Sequence, residues 1–366
     1  MIGVILVLNA GSSSLKFQVF AFDDLSVLAE GQVTRIGGDA HLSAMAGGDQ
    51  VSKDLPPGAG HEIALKAVLD FIDGHDDGWR MRGVAHRVVH GGGFYTQPVR
   101  VTAQVLRDLE TLIPLAPLHQ PHNIAAIVAS ERLVGDVPDI ACFDTGFHAG
   151  HDDLATRFAI PRQWHDKGVK RYGFHGLSYA WIARTLSQAH PHLYAGRVIA
   201  AHLGNGASLC AMRGGRSLDS TMGMTALDGL PMGTRSGAID AGAVLYLQRI
   251  LGAEAVERML YDESGLKGLS GLSNDVEVLL GSSDPHAAFA LDYFALKAAQ
   301  FAASLTVLLG GLDGFVFTGG IGEHAAPVRA AIVKRLELLG DFEVQVIPAN
   351  EEKEMAIQAR AVLEAS

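Results

Sequence analysis

The stretch that most constrains the fold is a polar turn between two apolar runs near the start of the chain. The first run covers residues 2–8, the second covers residues 17–20, and the turn reads Asn9-Ala10-Gly11-Ser12-Ser13-Ser14-Leu15-Lys16. An apolar run, a tight polar turn and a second apolar run predict a β-hairpin. The turn offers backbone N–H groups, three hydroxyls and one lysine, which are groups that bind phosphate. It is not a P-loop, because it lacks a second glycine before the lysine and a helix after it. For this stretch alone, a polar hairpin with a surface lysine is the alternative.

The same pattern returns in the second half of the chain. An apolar strand at residues 197–203 runs into the turn Gly204-Asn205-Gly206-Ala207-Ser208, and a second strand follows at residues 209–212. A third glycine-rich turn, residues 319–323, follows the apolar run 314–318. Because strand patterns alternate with helical ones, the chain is predicted to be α/β. Two similar halves with such turns predict a duplicated domain and a nucleotide held in a cleft between the two copies.

Composition excludes several classes of function. The chain has 366 residues, which favours two domains, and a formal net charge of −11, which opposes binding to nucleic acid and to anionic membranes. No apolar run approaches the roughly 18 residues of a membrane span. Cys142 and Cys210 lie in apolar, strand-like surroundings and are predicted to be buried free thiols in a reducing compartment. A cytoplasmic protein that binds neither nucleic acid nor membrane is therefore expected.

Two arginines occur where solvated surface charge is not expected. Arg87 sits inside the strand-like run 86–90, and Arg235 sits among small residues in the segment 232–237. A guanidinium can bond two oxygens of a carboxylate or phosphate at once. For each arginine a structural salt bridge is the alternative.

Two other side-chain types, aspartate and histidine, suggest chemistry. Asp144 ends a buried strand, a position typical of a carboxylate that bridges a metal or orients water. His175 lies between Phe174 and a glycine and is predicted to face a ligand. His86 and His90 have the spacing of a helical zinc pair, but on a strand they lie two pleats apart, so zinc is the weaker interpretation.

Eight segments, in order along nearly the whole chain, resemble the acetate kinase family. They are Asn-Ala-Gly-Ser-Ser-Ser-Leu-Lys at 9–16, His-Arg-Val-Val-His-Gly-Gly at 86–92, Phe-Asp-Thr-Gly-Phe-His at 143–148, Arg-Tyr-Gly-Phe-His-Gly at 171–176, His-Leu-Gly-Asn-Gly-Ala-Ser at 202–208, Met-Gly-Thr-Arg-Ser-Gly at 232–237, Gly-Gly-Ile-Gly-Glu at 319–323 and Asn-Glu-Glu at 350–352. The resemblance implies two duplicated actin/hexokinase-like (ribonuclease H-like) domains with a nucleotide cleft between them, usually in a homodimer. It implies residues 1–148 as an N-terminal acyl and phosphate domain, with a helix at about residues 350–366 packing back on it. Residues 149–349 would be the nucleotide-binding domain.

The resemblance also implies the reaction and its residues. The family transfers the γ-phosphoryl group of ATP reversibly to acetate, giving ADP and acetyl phosphate, with Mg²⁺ or alternatively Mn²⁺. By position, the catalytic residues would be Arg87, Asp144, His175 and Arg235, and the acyl group would lie against Arg87, Val89, Leu118, Phe174 and Ala226. Asn9 and Glu351 would hold the metal. The phosphates and the adenosine would contact Ser12, Ser14, Lys16, His202, Leu203, Gly204, Asn205, Gly206, Asp275, Val276, Glu277, Gly320, Ile321, Gly322, Glu323 and His324.

Four departures from the family pattern keep alternatives open. Ala226 replaces a proline, which is expected to widen the acyl pocket and admit propionate, although one methylene changes discrimination by only about 1–3 kcal/mol. Gln120 and His324 each replace an asparagine. The segment Asp275-Val276-Glu277 lacks the phenylalanine and arginine that the family has near adenine. The alternatives are a propionate or other short-chain acyl kinase, an enzyme with another donor such as pyrophosphate, and, less favoured, a non-catalytic sensor on the same fold.

Overall fold

A computed structural model describes residues 1–75 and 78–365. The chain forms two compact units, which we call unit 1 (Met1–Gly146 with Asn350–Ser366) and unit 2 (Phe147–Ala349). Ser366, the last residue of the predicted terminal helix, lies outside the described residues.

Strands and helices are interspersed along the chain, often with several elements of one kind in succession. The strands are β1 (Ile2–Ala10), β2 (Ser14–Ala21), β3 (Val27–Thr34), β4 (His41–Ala46), β5 (Asp49–Asp54), β6 (Trp79–Val88), β7 (Val99–Arg100), β8 (Asp139–Phe143), β9 (Arg197–Leu203), β10 (Ala207–Arg213), β11 (Arg216–Ser220), β12 (Gly314–Thr318) and β13 (Glu343–Val346). The helices are α1 (His61–His75), α2 (Ala103–Thr111), α3 (Gln120–Val134), α4 (Asp153–Thr156), α5 (Arg162–Asp166), α6 (Gly176–Ala189), α7 (Pro191–Ala195), α8 (Ala241–Leu251), α9 (Ala253–Asp262), α10 (Gly265–Ser270), α11 (Val276–Leu280), α12 (Pro285–Leu309), α13 (Gly319–His324), α14 (Ala326–Leu336) and α15 (Glu351–Glu364). Short 3₁₀ helices cover Ile113–Leu115, Gly146–His148 and Glu337–Leu339.

Unit 1 is built on a sheet of eight strands in the order β5-β4-β3-β2-β1-β6-β8-β7. Strand β1 pairs antiparallel with β2 and parallel with β6, and β6 pairs parallel with β8. Residues 4–8 of β1 are all at most 1% exposed, as expected for a strand covered on both faces. Helix α3 packs against β1 and β6, and the C-terminal helix α15 also packs against these two strands.

Unit 2 is built on a sheet of five strands in the order β11-β10-β9-β12-β13. Strand β9 pairs antiparallel with β10 and parallel with β12, and β12 pairs parallel with β13. Helix α12 packs on β10 through a buried stripe rich in alanine, which lets the helix approach the sheet closely. On helix α6 the residues Tyr179, Ile182 and Leu186 are buried in the same unit.

The two sheets share one core topology. Strands β3-β2-β1-β6-β8 of unit 1 have the same order and the same directions as strands β11-β10-β9-β12-β13 of unit 2. In each case the first strand forms an antiparallel hairpin and then pairs with a parallel strand that comes later in the chain. The predicted α/β class and the predicted duplication are therefore confirmed.

Two local predictions were wrong. From the sequence, Pro114 and Pro117 favour an irregular loop through His119 and His122, with a helix only over residues 123–133. In the structure α3 already begins at Gln120, with Pro121 in its first turn. A proline costs little there, because the first N–H groups of a helix have no partner within the helix. Residues 319–323, predicted to be a turn, begin the short helix α13.

Two further predictions concern the cysteines and the helices. Cys142 and Cys210 are free and buried, as predicted. Among the helices of the described ranges, none combines the length and the apolar character that crossing a membrane requires.

Candidate active site

In unit 1 the structure brings Arg87, Asp144 and Glu351 together. Arg87 lies near the end of β6 and Asp144 follows β8, and these strands are parallel neighbours whose carboxyl ends meet at one edge of the sheet. Nη2 of Arg87 donates to Oδ2 of Asp144 at 2.7 Å, and Nε donates to the same oxygen at 3.2 Å. Nη1 of Arg87 lies 3.1 Å from Oε2 of Glu351, at the start of α15. The guanidinium is thus fixed by two carboxylates at the end of the sheet.

Burial and pairing compete in this cluster. Burial is the largest influence on the pKa of Asp144 and raises it, the charge of Arg87 opposes that rise, and nearby Glu351 adds to it, leaving the pKa at about 6. Burial acts against the charged form of Arg87, but Asp144 and Glu351 outweigh it and raise the pKa of Arg87. With a pKa of about 6, the carboxyl group of Asp144 changes its charge slightly below neutral pH.

Asn9, the other predicted metal ligand, lies at the end of β1. Its Nδ2 is 3.5 Å from Oε1 of Glu352, which shares the first turn of α15 with Glu351. Asn350 caps this helix by accepting a hydrogen bond from the N–H of Lys353. Amide and carboxylate oxygens are the ligands that Mg²⁺ prefers, and they fit the predicted metal. Within residues 1–75 and 78–365, no group of three or more His, Cys, Asp or Glu is arranged to hold a metal.

The predicted phosphate turn is a tight hairpin in unit 1. Gly11 N–H donates to the carbonyl of Ser14 at 2.8 Å, and Lys16 stands directly opposite Asn9 in the strand pair. The exposed Ser12 lies in the turn. Sequence reasoning missed His61, whose Nε2–H donates to the carbonyl of Gly11 at 2.8 Å and ties the turn to helix α1.

Two buried amides hold the strand ends that carry the predicted acyl residues. Oδ1 of Asn123 accepts the N–H of Val89 at 3.1 Å, and Nδ2 donates to the carbonyl of Ala10 at 3.0 Å. Gln120 accepts the N–H of His90 and donates to the carbonyl of the same residue. Val89 is buried, whereas Leu118, just before α3, is 39% exposed. The amides of Gln120 and Asn123, just ahead of the apolar run 124–129, were the signal that could have identified Asn123.

The zinc interpretation of His86 and His90 finds no support. Nε2 of His86 donates to Asp139 at 2.6 Å, and both side chains are buried. Nδ1 of His90 accepts the N–H of Gly92 at 2.9 Å. The two rings therefore take part in separate local contacts.

In unit 2 the structure brings His175, Gly206 and Arg235 together. A Cβ atom added to Gly206 would lie 3.2 Å from Nε2 of His175 and 3.2 Å from Nη2 of Arg235. Nη1 of Arg235 donates to the carbonyl of Ala226 at 2.7 Å. A glycine at position 206 thus keeps open a small space that is flanked by an imidazole and a guanidinium. Both groups suit an anion.

His175 sits in a strained turn at the start of α6. Its φ is +57°, in the left-handed region that few residues other than glycine adopt. The carbonyl of Phe174, just before it, accepts a hydrogen bond from Nε2 of His148 at 2.9 Å. Burial lowers the pKa of His148 to about 4, so the ring is neutral. The side chain of Phe174 itself is 1% exposed.

A cavity of about 530 Å³ in unit 2 collects many of the predicted nucleotide residues. Its walls are formed by Gly204, Asn205, Asn274, Asp275, Val276, Glu277, Leu280, Gly320, Ile321, His324 and Ala325. Besides His202, four predicted residues of unit 2 lie outside this lining: Leu203, Gly206, Gly322 and Glu323. Leu203 is fully buried, and the carboxylate of Glu323 accepts the N–H groups of Gly319 and Ala349, a structural use. His202 is also outside the lining and stacks on His175 with ring centres 4.3 Å apart.

Comparisons with known proteins give one consistent result. A model of the acetokinase family matches residues 4–360. An acetate kinase of Rhodopseudomonas palustris is 46% identical over 351 residues, which is 93% of this chain and 88% of the relative. The solved structure of a propionate kinase from Francisella tularensis matches with a TM-score of 0.90 at 33% identity, covering 97% of this chain and 98% of the other. That of Porphyromonas gingivalis acetate kinase matches with a TM-score of 0.87 at 32% identity, covering 99% and 100%. The chain therefore belongs to the acetokinase family and is a phosphotransferase.

Proposed function

We propose that the enzyme transfers the γ-phosphoryl group of ATP to acetate, reversibly, giving ADP and acetyl phosphate. The observation that carries this proposal is the partly buried guanidinium of Arg87, which is fixed by Asp144 at 2.7 Å and by Glu351 at 3.1 Å. A planar fork held in one orientation is suited to a small carboxylate.

The reaction asks for positioning and charge neutralisation more than for proton transfer. Acetate is already ionised at neutral pH, so its oxygen can attack phosphorus without a base. What remains is to hold two anions in line and to stabilise charge on the equatorial oxygens of the transferred group. In the proposed roles, Arg87 orients the acyl carboxylate, while His175 and Arg235 donate to the equatorial oxygens.

Lys16 and a bound Mg²⁺ would supply the remaining positive charge that the phosphate oxygens need. Asn9 and Glu351 would hold the metal, and when bound it would neutralise charge on the phosphate oxygens. Asp144 serves here as an orienting carboxylate for Arg87. The cavity lined by Asn205, Val276 and Ile321 is the proposed nucleotide site.

The second candidate function is propionate kinase, because Ala226 provides no ring where the family has proline. The test is a hydroxamate assay of acyl phosphate with Mg-ATP and, in turn, acetate, propionate and butyrate. The highest kcat/KM with acetate supports the proposal. A preference for propionate transfers the assignment to the second candidate. Product only when pyrophosphate replaces ATP would contradict the proposed donor.

We also propose that the enzyme is a homodimer in the cytoplasm. Helix α8 reads Ala-Gly-Ala-Val-Leu-Tyr-Leu-Gln-Arg-Ile-Leu, yet none of its residues is buried. Leu245, Tyr246 and Ile250 are each more than half exposed, as is Phe289 on α12. An apolar helix that the chain itself leaves uncovered suits the same face of a second copy. Two buried free thiols suit a reducing compartment.

A further inference from the structure

The imidazole of His175 is held from behind by two hydroxyl groups. Nδ1 of His175 lies 2.8 Å from Oγ of Ser208, on strand β10. The same Oγ lies 2.5 Å from the phenolic oxygen of Tyr179, one turn further along α6. Ser208 and Tyr179 are both fully buried. The three groups form a short chain of hydrogen bonds that leads to Nδ1.

The chemistry of these groups favours one direction for the protons. Each hydroxyl has a single proton to donate, and a phenol, with a pKa near 10, gives its proton to a hydrogen bond more readily than an alkyl hydroxyl does. Tyr179 therefore donates to Ser208, and Ser208 in turn donates to Nδ1 of His175. A neutral imidazole carries its proton on one nitrogen only, so an accepting Nδ1 places the proton on Nε2.

The other side of the ring faces the proposed phosphoryl site. Nε2 of His175 and Nη2 of Arg235 flank Gly206, each 3.2 Å from where a Cβ would stand. We call the hydrogen-bond chain from Tyr179 through Ser208 to His175 the relay. The Nε2–H of His175 that the relay favours therefore lies beside the guanidinium of Arg235. A donor with a fixed direction costs no reorganisation when charge develops on an oxygen.

A second histidine repeats the arrangement. Nδ1 of His202 lies 2.9 Å from Oγ of Ser178, in the first turn of α6. The ring of His202 stacks on that of His175 at an angle of 28°. Two imidazolium rings in contact would repel each other, which favours a neutral pair. The serine at each Nδ1 is consistent with both rings presenting Nε2–H.

We propose that Tyr179 and Ser208 are positioning residues that fix His175 as the Nε2–H tautomer, with its donor directed at the transferred phosphoryl group. The identity of that group rests on the proposed function, whereas the tautomer is a property of the resting protein. Loss of the relay should lower kcat more than it changes the KM for acetate, because the donor acts on charge that develops in the transition state.

The first measurement is ¹⁵N NMR of histidine-labelled full-length protein, with His175→Gln used to assign the resonances. At neutral pH, the spectrum should show that Nδ1 of His175 is unprotonated and accepts a hydrogen bond, and that Nε2 is protonated. In Ser208→Ala and in Tyr179→Phe, the His175 signals should shift toward a mixture of tautomers. We expect kcat to fall about 10- to 100-fold in Ser208→Ala, the range typical of lost support for a reacting group, and less in Tyr179→Phe. Ser208→Thr, which keeps the hydroxyl, should restore both the His175 spectrum and kcat.

Ser220→Ala is the matched control. Its Oγ is also buried in unit 2 and has no hydrogen-bond partner within the part of the chain that the structure describes. It should leave kcat and the His175 spectrum unchanged.

A protonated Nδ1 or a charged ring in the wild type would overturn the proposal. So would a Ser208→Ala enzyme that matches the control. If Ser208→Ala does not fold, the proposal is tested by the His175 spectrum of the wild type and by the spectrum and kcat of Tyr179→Phe. A wild type that shows the expected tautomer but no turnover of acetate would contradict the proposed function while supporting the relay.

Discussion

Arg87 and Arg235 have similar proposed roles but different surroundings, and this predicts different costs on removal. Arg87→Ala leaves the carboxylate of Asp144, only 2% exposed, without its charged partner. Breaking a buried pair in this way typically costs about 3–5 kcal/mol. Arg235→Ala removes, among other contacts, a hydrogen bond to the neutral carbonyl of Ala226, and loss of such a hydrogen bond costs about 1 kcal/mol. Both variants should lose most of their turnover, and urea unfolding should separate them.

The double variant Arg87→Ala, Asp144→Ala is the internal control for this comparison. It removes the stranded carboxylate, so it should be more stable than Arg87→Ala alone while remaining inactive. Equal stability of the Arg87→Ala and Arg235→Ala variants would contradict the pairing argument. The sequence alone does not reveal this difference, because Arg87 and the buried acid that it neutralises lie 57 positions apart in the chain.

The pKa of Asp144 predicts the acid limb of the pH–activity profile, which is the pH range in which kcat/KM falls as the solution becomes more acidic. Since its pKa is raised to about 6, the carboxylate is ionised above that pH and protonated below it. Protonation releases the guanidinium of Arg87 from its fixed orientation, so kcat/KM for acetate should fall as the pH drops through about 6. The effect on folding has the opposite sign. A raised pKa gives a contribution to stability that is full below the unfolded-state value near 4 and is lost as the pH rises through about 6.

The measurement is kcat/KM in overlapping buffers from about pH 5 to pH 8. Asp144→Asn should lower the plateau and remove the limb at pH 6, because no ionisable group remains at that position. A variant that keeps the same limb would assign it to another group.

At the scale of elements, the turn between residues 173 and 175 sets the position of His175. Gly173 has a φ of +80°, and a Cβ there would lie 2.7 Å from the ring of His148. Gly173→Ala should therefore combine backbone strain with overpacking and cost about 2–4 kcal/mol. It should also lower kcat by displacing the ring.

Gly214→Ala is the matched control for this turn. Gly214 has a φ of +58°, and a Cβ there would meet nothing within 4 Å. In the control, only backbone strain should lower the free energy of unfolding, by about 1 kcal/mol, and kcat should not change. Equal losses in the two variants would show that the contact with His148 contributes nothing.

The elements themselves were largely predictable, and the contacts between them were not. Apolar runs that end in glycine, serine or asparagine identified β1, β2, β9 and β10, because strand periodicity and turn chemistry are local properties. Helix α3 was shortened in the prediction, since a proline signals a break wherever it occurs except in the first turn of a helix. The amide of Asn123 contacts residues 34 and 113 positions away in the chain. Spacing along the sequence carries no information on such contacts, nor on the approach of Ser208 to Tyr179.

At the scale of the whole molecule, duplication explains why two distant turns have related chemistry. The turn at residues 9–16 joins β1 to β2 of unit 1, and the turn at residues 204–206 joins β9 to β10 of unit 2. These hairpins are equivalent in the shared five-strand topology. Both turns consist of small and polar residues. The turn of unit 1 leads to Lys16, and the turn of unit 2 lies beside His175. In the proposed function, the same scaffold position would bind an anion in both units, although the side chains differ.

The proposed dimer gives the last prediction. If helix α8 covers the same helix of a second copy, charge at its exposed apolar positions should separate the subunits, because an isologous interface would then bury two like charges. Leu245→Glu with Tyr246→Glu should change the sedimentation-equilibrium mass from two chains to one. Leu338→Glu is the control, since Leu338 is 79% exposed in unit 2 but lies outside α8 and α12, and it should leave the mass unchanged. A wild type that sediments as a single chain would contradict the proposal, and so would a double variant that stays dimeric, because an interface centred on α8 could not tolerate four buried carboxylates.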